Sequence, residues 1–325
     1  MQFAHAWAAH ARSFFGANPP HCTPLFDPTQ LDQHAAVASS PDPEKVGRAR
    51  ALPIHRFDRW DSDAPGYPSW IAPSVACTKP PAEELGHLEL SPSTRPPWPT
   101  WDLSLPVEHL QIRFGAEAIA KMKKAAEDSL PESLSGQQVS RLDSVLAHVW
   151  ILMNRARQHE NTQDIVYLNN TLGLRNRVEP PLPDSYVGSP ILLAYVEKTG
   201  YEVSTATIGS IAGSIRQVMS QFTPDAVSDY LHEVAHEVCP QRLWQAFLGS
   251  RHTIVTSWVR ARAYEVDFCA TQQQARYMQG VMPRLDGLVQ VIDIADTGAF
   301  DISVCLEKET LQRFAQDPML KAYGF

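Results

Sequence analysis

SRLDSVLAHVWILMNRAR, residues 140–157, and DIVYLNNTLGLRNR, residues 164–177, decide the architecture. In the first run Leu142, Val145, Leu146, Val149, Met153 and Ala156 recur at helical spacing, which predicts an amphipathic helix buried along one stripe. Ser140 stands at its start with Asp143 three residues on, a near-capping box in which each end of the motif satisfies a backbone N–H of the first turn. The second run has the β-branched and aromatic content of a strand, expected over 164–174.

Working outward, Leu110, Ile112 and Phe114 alternate as in a strand, and AEAIAKMKKAAEDSL (116–130) follows as a helix of strong formers. A further strand is expected at 190–198, and helices at 204–221 and 224–239, the latter with Thr223 as N-cap and Pro224 in the first turn. HTIVTSW (252–258), AYEVDF (263–268), LVQVIDI (288–294) and FDISVCL (300–306) read as strands, and KETLQRFAQD (308–317) as a closing helix. Strands separated by helices, then consecutive strands, imply an α/β fold with a mixed sheet and flanking helices.

The 325-residue chain is 44% hydrophobic and 20% charged, enough for one large or two mid-sized cores. Its formal net charge of −8 argues against a nucleic-acid or anionic-membrane partner, because either needs clustered cations. Cys22, Cys77, Cys239, Cys269 and Cys305 are odd in number and form no CxxC pair, which points to a reducing, cytoplasmic setting rather than a disulfide framework or zinc ribbon. No run approaches the roughly 18 apolar residues of a membrane span. Seventeen of the 26 prolines fall between Pro19 and Pro106. That stretch reads as a crossover or linker, with disorder as the alternative for its middle, although Trp60, Tyr67, Trp70, Trp98 and Trp101 suggest docking on a surface. The opening MQFAHAWAAHARSFF reads as a helix with Phe3, Trp7, Phe14, Ala6 and Ala11 on one face, an apolar face that expects something to pack against.

Four segments, in this order, resemble the BAHD-type acyl-CoA-dependent acyltransferases, their fungal branch in particular. They are SRLDSVLAHVWILMNRAR; LGLRNRVEPPLPDSYVGSP (172–190); VTSWVRARAYEVDFCATQ (255–272), similar to the family's T-S-W segment leading into D-F-G-W-G; and DGLVQVIDI (286–294) with ISVCLEKETLQRFAQDP (302–318). The resemblance implies a chloramphenicol-acetyltransferase-like α/β fold with the active site in a channel between two domains. Residues 1–38 would be the remnant of an incomplete N-terminal domain, 39–106 the crossover, and 107–325 the C-terminal domain. It further implies transfer of an acyl group from acyl-CoA, a cosubstrate rather than a resident cofactor, to a hydroxyl or amine of a small-molecule acceptor in secondary metabolism, by a monomer if full length.

The family's general base is the His of H-x-x-x-D. None of the twelve histidines here has Asp four positions on, so no catalytic residue is assigned, and the motif is expected upstream of Met1 in a truncated chain. A catalytically inactive fragment that binds CoA or acceptor is the alternative. By resemblance Thr256 and Trp258 line the acceptor pocket, while Ser140, Asp267 and Phe268 stand on the CoA side. Arg175 occupies the place of the Arg that pairs with the motif's Asp, and His148 is a helix histidine of the core with a satisfied hydrogen bond. Gly173 replaces a family Asp, and Cys269 and Thr271 replace the glycines of D-F-G-W-G.

One competing motif is His232-Glu233-Val-Ala-His236, the H-E-x-x-H pattern of zinc metallopeptidases. No third ligand follows, since positions 239, 242 and 256 are Cys, Arg and Thr. With Val227, Leu231, Val234 and Val238 as the buried stripe, His232 and His236 are expected on a solvated helix face, and no metal ligand is assigned.

Overall fold

The computed structural model describes residues 2–15, 25–35, 38–68, 78–259, 261–268, 275 and 277–324. Within them, in chain order, run α1 (Gln2–Phe14), α2 (Asp32–Ala35), α3 (Pro43–Arg50), β1 (Phe57–Asp58), α4 (Ala82–Leu85), β2 (Val107–Phe114), α5 (Ala116–Asp128), α6 (Arg141–Ala156), β3 (Ile165–Gly173) and β4 (Ile191–Thr199). There follow α7 (Gly200–Thr205), α8 (Ile208–Ser220), α9 (Pro224–Ala235), β5 (Leu243–Trp244), β6 (His252–Ser257), β7 (Leu288–Asp293), β8 (Phe300–Glu307) and α10 (Lys308–Gln316). Six strands form one sheet in the order β2-β8-β7-β6-β3-β4. β6 runs parallel to both β3 and β7, and the remaining pairs are antiparallel.

One face of this sheet is apolar by alternation. Val289 and Val291, Ile302 and Val304, and Val166 and Leu168 point to the same side and meet Ile119 and Met122 of α5, Val145, Val149 and Met153 of α6, Ile211 and Ile215 of α8, and Phe314 of α10. Each such side chain stabilises the fold by about 1.5–3 kcal/mol on burial, so this layer is the main core. The capping box at the start of α6 forms in both directions between Ser140 and Asp143, and Asp143 also accepts from Arg216 of α8, tying the two helices together.

The other face is roofed in part by the proline-rich segment, some of whose aromatic residues are docked while stretches such as 86–89 stay exposed. Phe57, Trp98 and Phe247 are buried in one cluster with Tyr67, Trp101 and Trp244 against them; Trp60 is buried as well, and Trp70 lies outside the described residues. Proline helps rather than hinders, because Pro43 opens α3 behind the N-cap Asp42, whose carboxylate accepts from Glu44 N at 2.9 Å. Gly249, at φ +100°, lets the backbone pass against Thr100 and Trp101, where any side chain would overlap the Thr100 carbonyl.

Three expectations are corrected. The helix expected at 204–221 is two helices, since Thr199 caps α7 and Thr207 caps α8, and Thr207 is held extended while its hydroxyl donates to Ser129 O. The helix expected at 224–239 stops at Ala235, with His236 as C-cap. AYEVDF is not a strand: Ala263–Glu265 is a 3-10 turn, because the Tyr264 hydroxyl is drawn down to Asp301 of β8 at 2.5 Å.

Candidate functional site

β3, β6 and β7 are parallel, so their C-terminal ends lie on one edge of the sheet, the edge where open α/β folds bind ligands. Thr256 is at the end of β6, and Trp258 follows it, its N–H bonded to Val291 O at 2.7 Å and its ring packed with Ala263, Tyr264 and Ile292. Arg175 follows β3 on the same edge. Ser140 joins them, since Arg141 beside it lies over the ring of Phe300, just past the end of β7. Thus four of the residues singled out in the sequence share one edge.

Register builds the floor of this site. Thr256 is paired with Gln290 of β7, Gln290 with Ser303 of β8, and Ser303 with Gln111 of β2. Laterally paired residues point to the same face, so these four form a polar rung across four strands, on the face away from the helices. On the other side of β6, Thr171 stands one step beyond the last matched pair, Asn170 with Val255. Thr256 is half-buried, and Gln290 and Ser303 are buried. One buried carbonyl oxygen on this face, Gln290 Oε1, lacks a partner; it forgoes a bond whose loss costs about 1–3 kcal/mol.

At the opposite end of the same face, the rings of His55 and Tyr195 stack at 4.2 Å, and those of Tyr167 and His252 at 4.7 Å. Burial pushes His55 down to about 3, against a small upward pull from Asn169, and burial likewise pushes His252 to about 3. Both rings are therefore neutral and unsuited to take up a proton at neutral pH.

His148 does not join the site. It lies in the core on the helix side, beside Phe114 and Tyr323, and burial lowers it to about 4. A hydrogen bond with the Leu320 backbone opposes that shift, while Nε2 has no partner. Arg175 lies over the Tyr186 ring and donates to Gly188 O at 2.9 Å, with Nη1 buried and unpartnered. Arg177 donates to Met219 O and Phe222 O at the end of α8.

The loop after β6 carries Asp267 and Phe268. Arg12 donates to Asp267 O, His5 Nε2 faces Ala261 O at 3.1 Å, and the Trp7 and Phe268 rings meet edge to face at 5.1 Å. The helix expected at the N-terminus is present, but its apolar face is not covered: Trp7 is 59% exposed, and Phe3 and Phe14 more so. Positions 269 and 271, where the family has glycine, lie outside the described residues.

The H-E-x-x-H segment corrects the expectation of a solvated face. His232 is 1% exposed, donates through Nδ1 to Ala35 O at 3.0 Å and accepts through Nε2 from Asp42 N at 2.9 Å. A backbone N–H can only donate, so both ring nitrogens are committed to the backbone and neither is free for a metal ion. Glu233 is bound by Arg50 at 2.9 Å and Arg56 at 2.5 Å, and Asp229 by Arg48 at 2.7 Å. The buried face of α9 is polar because α2 and α3 dock there, a partner that periodicity could not reveal. Among the described residues no group of three or more His, Cys, Asp or Glu is arranged to hold a metal ion.

Comparison with known proteins adds the following. The model of the Transferase family matches residues 67–321. The chain is 24% identical to Acyltransferase AFT15-1 of Alternaria alternata over 83% of its own length and 50% of that protein's. It is 26% identical to hydroxycinnamoyl-CoA:piscidic acid hydroxycinnamoyltransferase of Actaea racemosa over 62% and 47% of the two chains. Among solved structures, F. sporotrichioides TRI101 complexed with Coenzyme A and T-2 is similar with a TM-score of 0.61 at 17% identity, over 69% of this chain and 52% of that one. This likeness concerns the fold, which is the chloramphenicol-acetyltransferase-like α/β architecture. The chain spans about half the length of the curated relatives it matches.

Proposed function

The chain belongs to the Transferase family, the BAHD-type acyltransferases, and from that premise we propose that it provides the acceptor-contacting part of an enzyme that moves an acyl group from acyl-CoA to a hydroxyl or amine of a small molecule. The observation that carries the reading is the hydroxyl and amide rung beside Thr256 at the C-terminal edge of three parallel strands. In such a reaction the acceptor oxygen or nitrogen attacks the thioester carbonyl. The C–O or C–N bond forms, the C–S bond breaks, and CoA leaves as the thiol once it has received the acceptor's proton.

Thr256 and Trp258 orient the acceptor in this reading, one by hydrogen bonding and the other by ring contact. Ser140, Asp267 and Phe268 stand toward the CoA, while Arg175 shapes the edge between them. The proton is taken by the His of an H-x-x-x-D motif that none of the twelve histidines supplies. That lack favours a second reading, a module that binds CoA and acceptor without turnover. Acyltransferase relatives whose names include a hydroxycinnamoyl-CoA donor support a CoA thioester as cosubstrate. No helix among the described residues is long and apolar enough to cross a membrane; a monomeric, cytoplasmic enzyme completes the proposal.

Calorimetry with acetyl-CoA and larger CoA thioesters, alongside an assay of thiol release, tests it. Thioester binding without turnover by the chain alone is expected. Absence of binding overturns the transfer reading, and robust turnover overturns the assignment of the base. An in-frame H-x-x-x-D in genomic DNA ahead of the Met1 codon separates the enzyme from the binding module.

A further inference from the structure

Gln290 is only 1% exposed, yet its Oε1 has no partner. Residues 277–280 pass over it. Tyr277 donates to Gln111 Oε1, Met278 N donates to the Tyr264 hydroxyl at 3.1 Å, and Gln279 Nε2 faces His109 Nδ1 at 3.4 Å. Gly280 lies so close to the Gln290 amide that any Cβ there would overlap it. The strap has no regular secondary structure, and Val281, its next residue, is fully exposed. Over the rung itself it makes one polar contact, Tyr277 to Gln111, and one close approach, Gly280 to Gln290, while Met278 and Met282 on either side pack against Tyr264 and Ile292 and against Leu288 and Cys305. Toward β6 the rung is more open, at half-buried Thr256.

A buried carbonyl oxygen without a donor is uncommon in folded proteins, and this one adjoins the residue expected to line the acceptor pocket. We propose that Gln290 is a specificity-determining residue: its Oε1 accepts a hydrogen bond from a hydroxyl or amine of the acceptor, which enters beside Thr256 and lifts the 277–280 strap. The inference rests on the acyl-transfer reading for the name acceptor, but Gln290's preference for a donating ligand is a property of binding alone. Ligands that present O–H or N–H are selected over isosteres that lack it, because only they supply the missing donor.

Benzyl alcohol and benzylamine, against toluene as the isostere without a donor, are suitable probes. Binding to the unaltered chain and to Gln290→Leu alike is read from the Thr256 backbone amide in 15N–1H spectra, and in the unaltered chain also from the side-chain amide signals of Gln290, assigned with Gln290→Leu. The alcohol and the amine are each expected to bind about tenfold more tightly than toluene to the unaltered chain, and Gln290→Leu to bring the ratio to about one. Gly280→Ala keeps the amide and unseats the strap, so it should raise benzyl alcohol affinity severalfold, and it carries the test even where Gln290→Leu does not fold. A ratio near one in the unaltered chain, a ratio that survives Gln290→Leu, or no response at the Gln290 amide overturns the proposal; unchanged affinity in Gly280→Ala overturns the role of the strap. Calorimetry with coenzyme A on the same sample tests the transfer reading separately, since loss of that binding leaves the donor preference standing.

Discussion

Glu233 of α9 and Arg56 of the proline-rich segment lie 2.5 Å apart, and Arg50 holds the other carboxylate oxygen at 2.9 Å. The Glu of an apparent zinc motif is thus the anchor by which the crossover segment is fastened to the helix beside the sheet. With Glu233 buried and both arginines aimed at it, removing the carboxylate leaves the largely buried Arg56 guanidinium without its anion, while Arg50 keeps access to solvent.

Glu233→Ala should destabilise the chain by about 3 kcal/mol in urea unfolding. Glu233→Gln, which retains two hydrogen-bonding ends, should cost less. Metal analysis of the unaltered chain serves as the companion measurement: stoichiometric zinc would contradict the account of His232 and Glu233 as docking groups.

Tyr264→Phe removes one hydroxyl that bridges Asp301 and Met278 N. Asp301 keeps its two bonds from Arg113 at 2.8 Å, so the global loss should be about 1–2 kcal/mol. The local effect should be larger, with hydrogen exchange at 263–268 and 277–280 accelerated while the strands of the sheet stay protected. Uniform acceleration across the sheet would show that Tyr264 holds the core rather than the loop.

Acid should weaken the fold through its buried imidazoles. His55 and His252 sit at about 3, and His148 and His159 at about 4, in each case chiefly because burial disfavours the charged ring, against 6.5 for an ordinary His. Between those values the unfolded chain binds more protons than the folded one, so stability is fully present above about 6.5 and falls as pH drops toward 3–4. Each ring adds a slope of up to about 1.4 kcal/mol per pH unit. Urea midpoints from pH 8 to pH 4 measure this, and His55→Phe, which keeps the aromatic stack, should flatten the decline.

Thr256→Val keeps the β-branched shape and removes the hydroxyl. Stability should change by less than about 1 kcal/mol, because among the described residues no hydrogen bond uses that oxygen. Affinity for benzyl alcohol should fall several-fold with coenzyme A binding intact. A matching loss of both would place Thr256 in the support of the edge rather than in contact with the acceptor.

Much of the framework was legible in the residues. The α6 capping box, the strands at β3, β4, β6, β7 and β8, and Thr256 at the end of one of them follow from periodicity and cap chemistry, which act within a few residues. Thr207 is itself an N-cap residue type, and it divides α7 from α8. The polar rung was not legible. It depends on which strands become neighbours and in what register, and Thr256, Gln290, Ser303 and Gln111 are distant in sequence.

Local patterning, then, determined by itself most of the helices and strands and the family they resemble, because turn, cap and alternation energies are settled between near neighbours. Only the tertiary structure decided that His232 and Glu233 are buried, that Tyr264 pulls a would-be strand into a turn, and that Gln290 stands unpartnered beside Thr256. Each of these depends on a second segment arriving from far along the chain, and the hydrogen bonds and ion pairs that result have no counterpart in the order of residues alone.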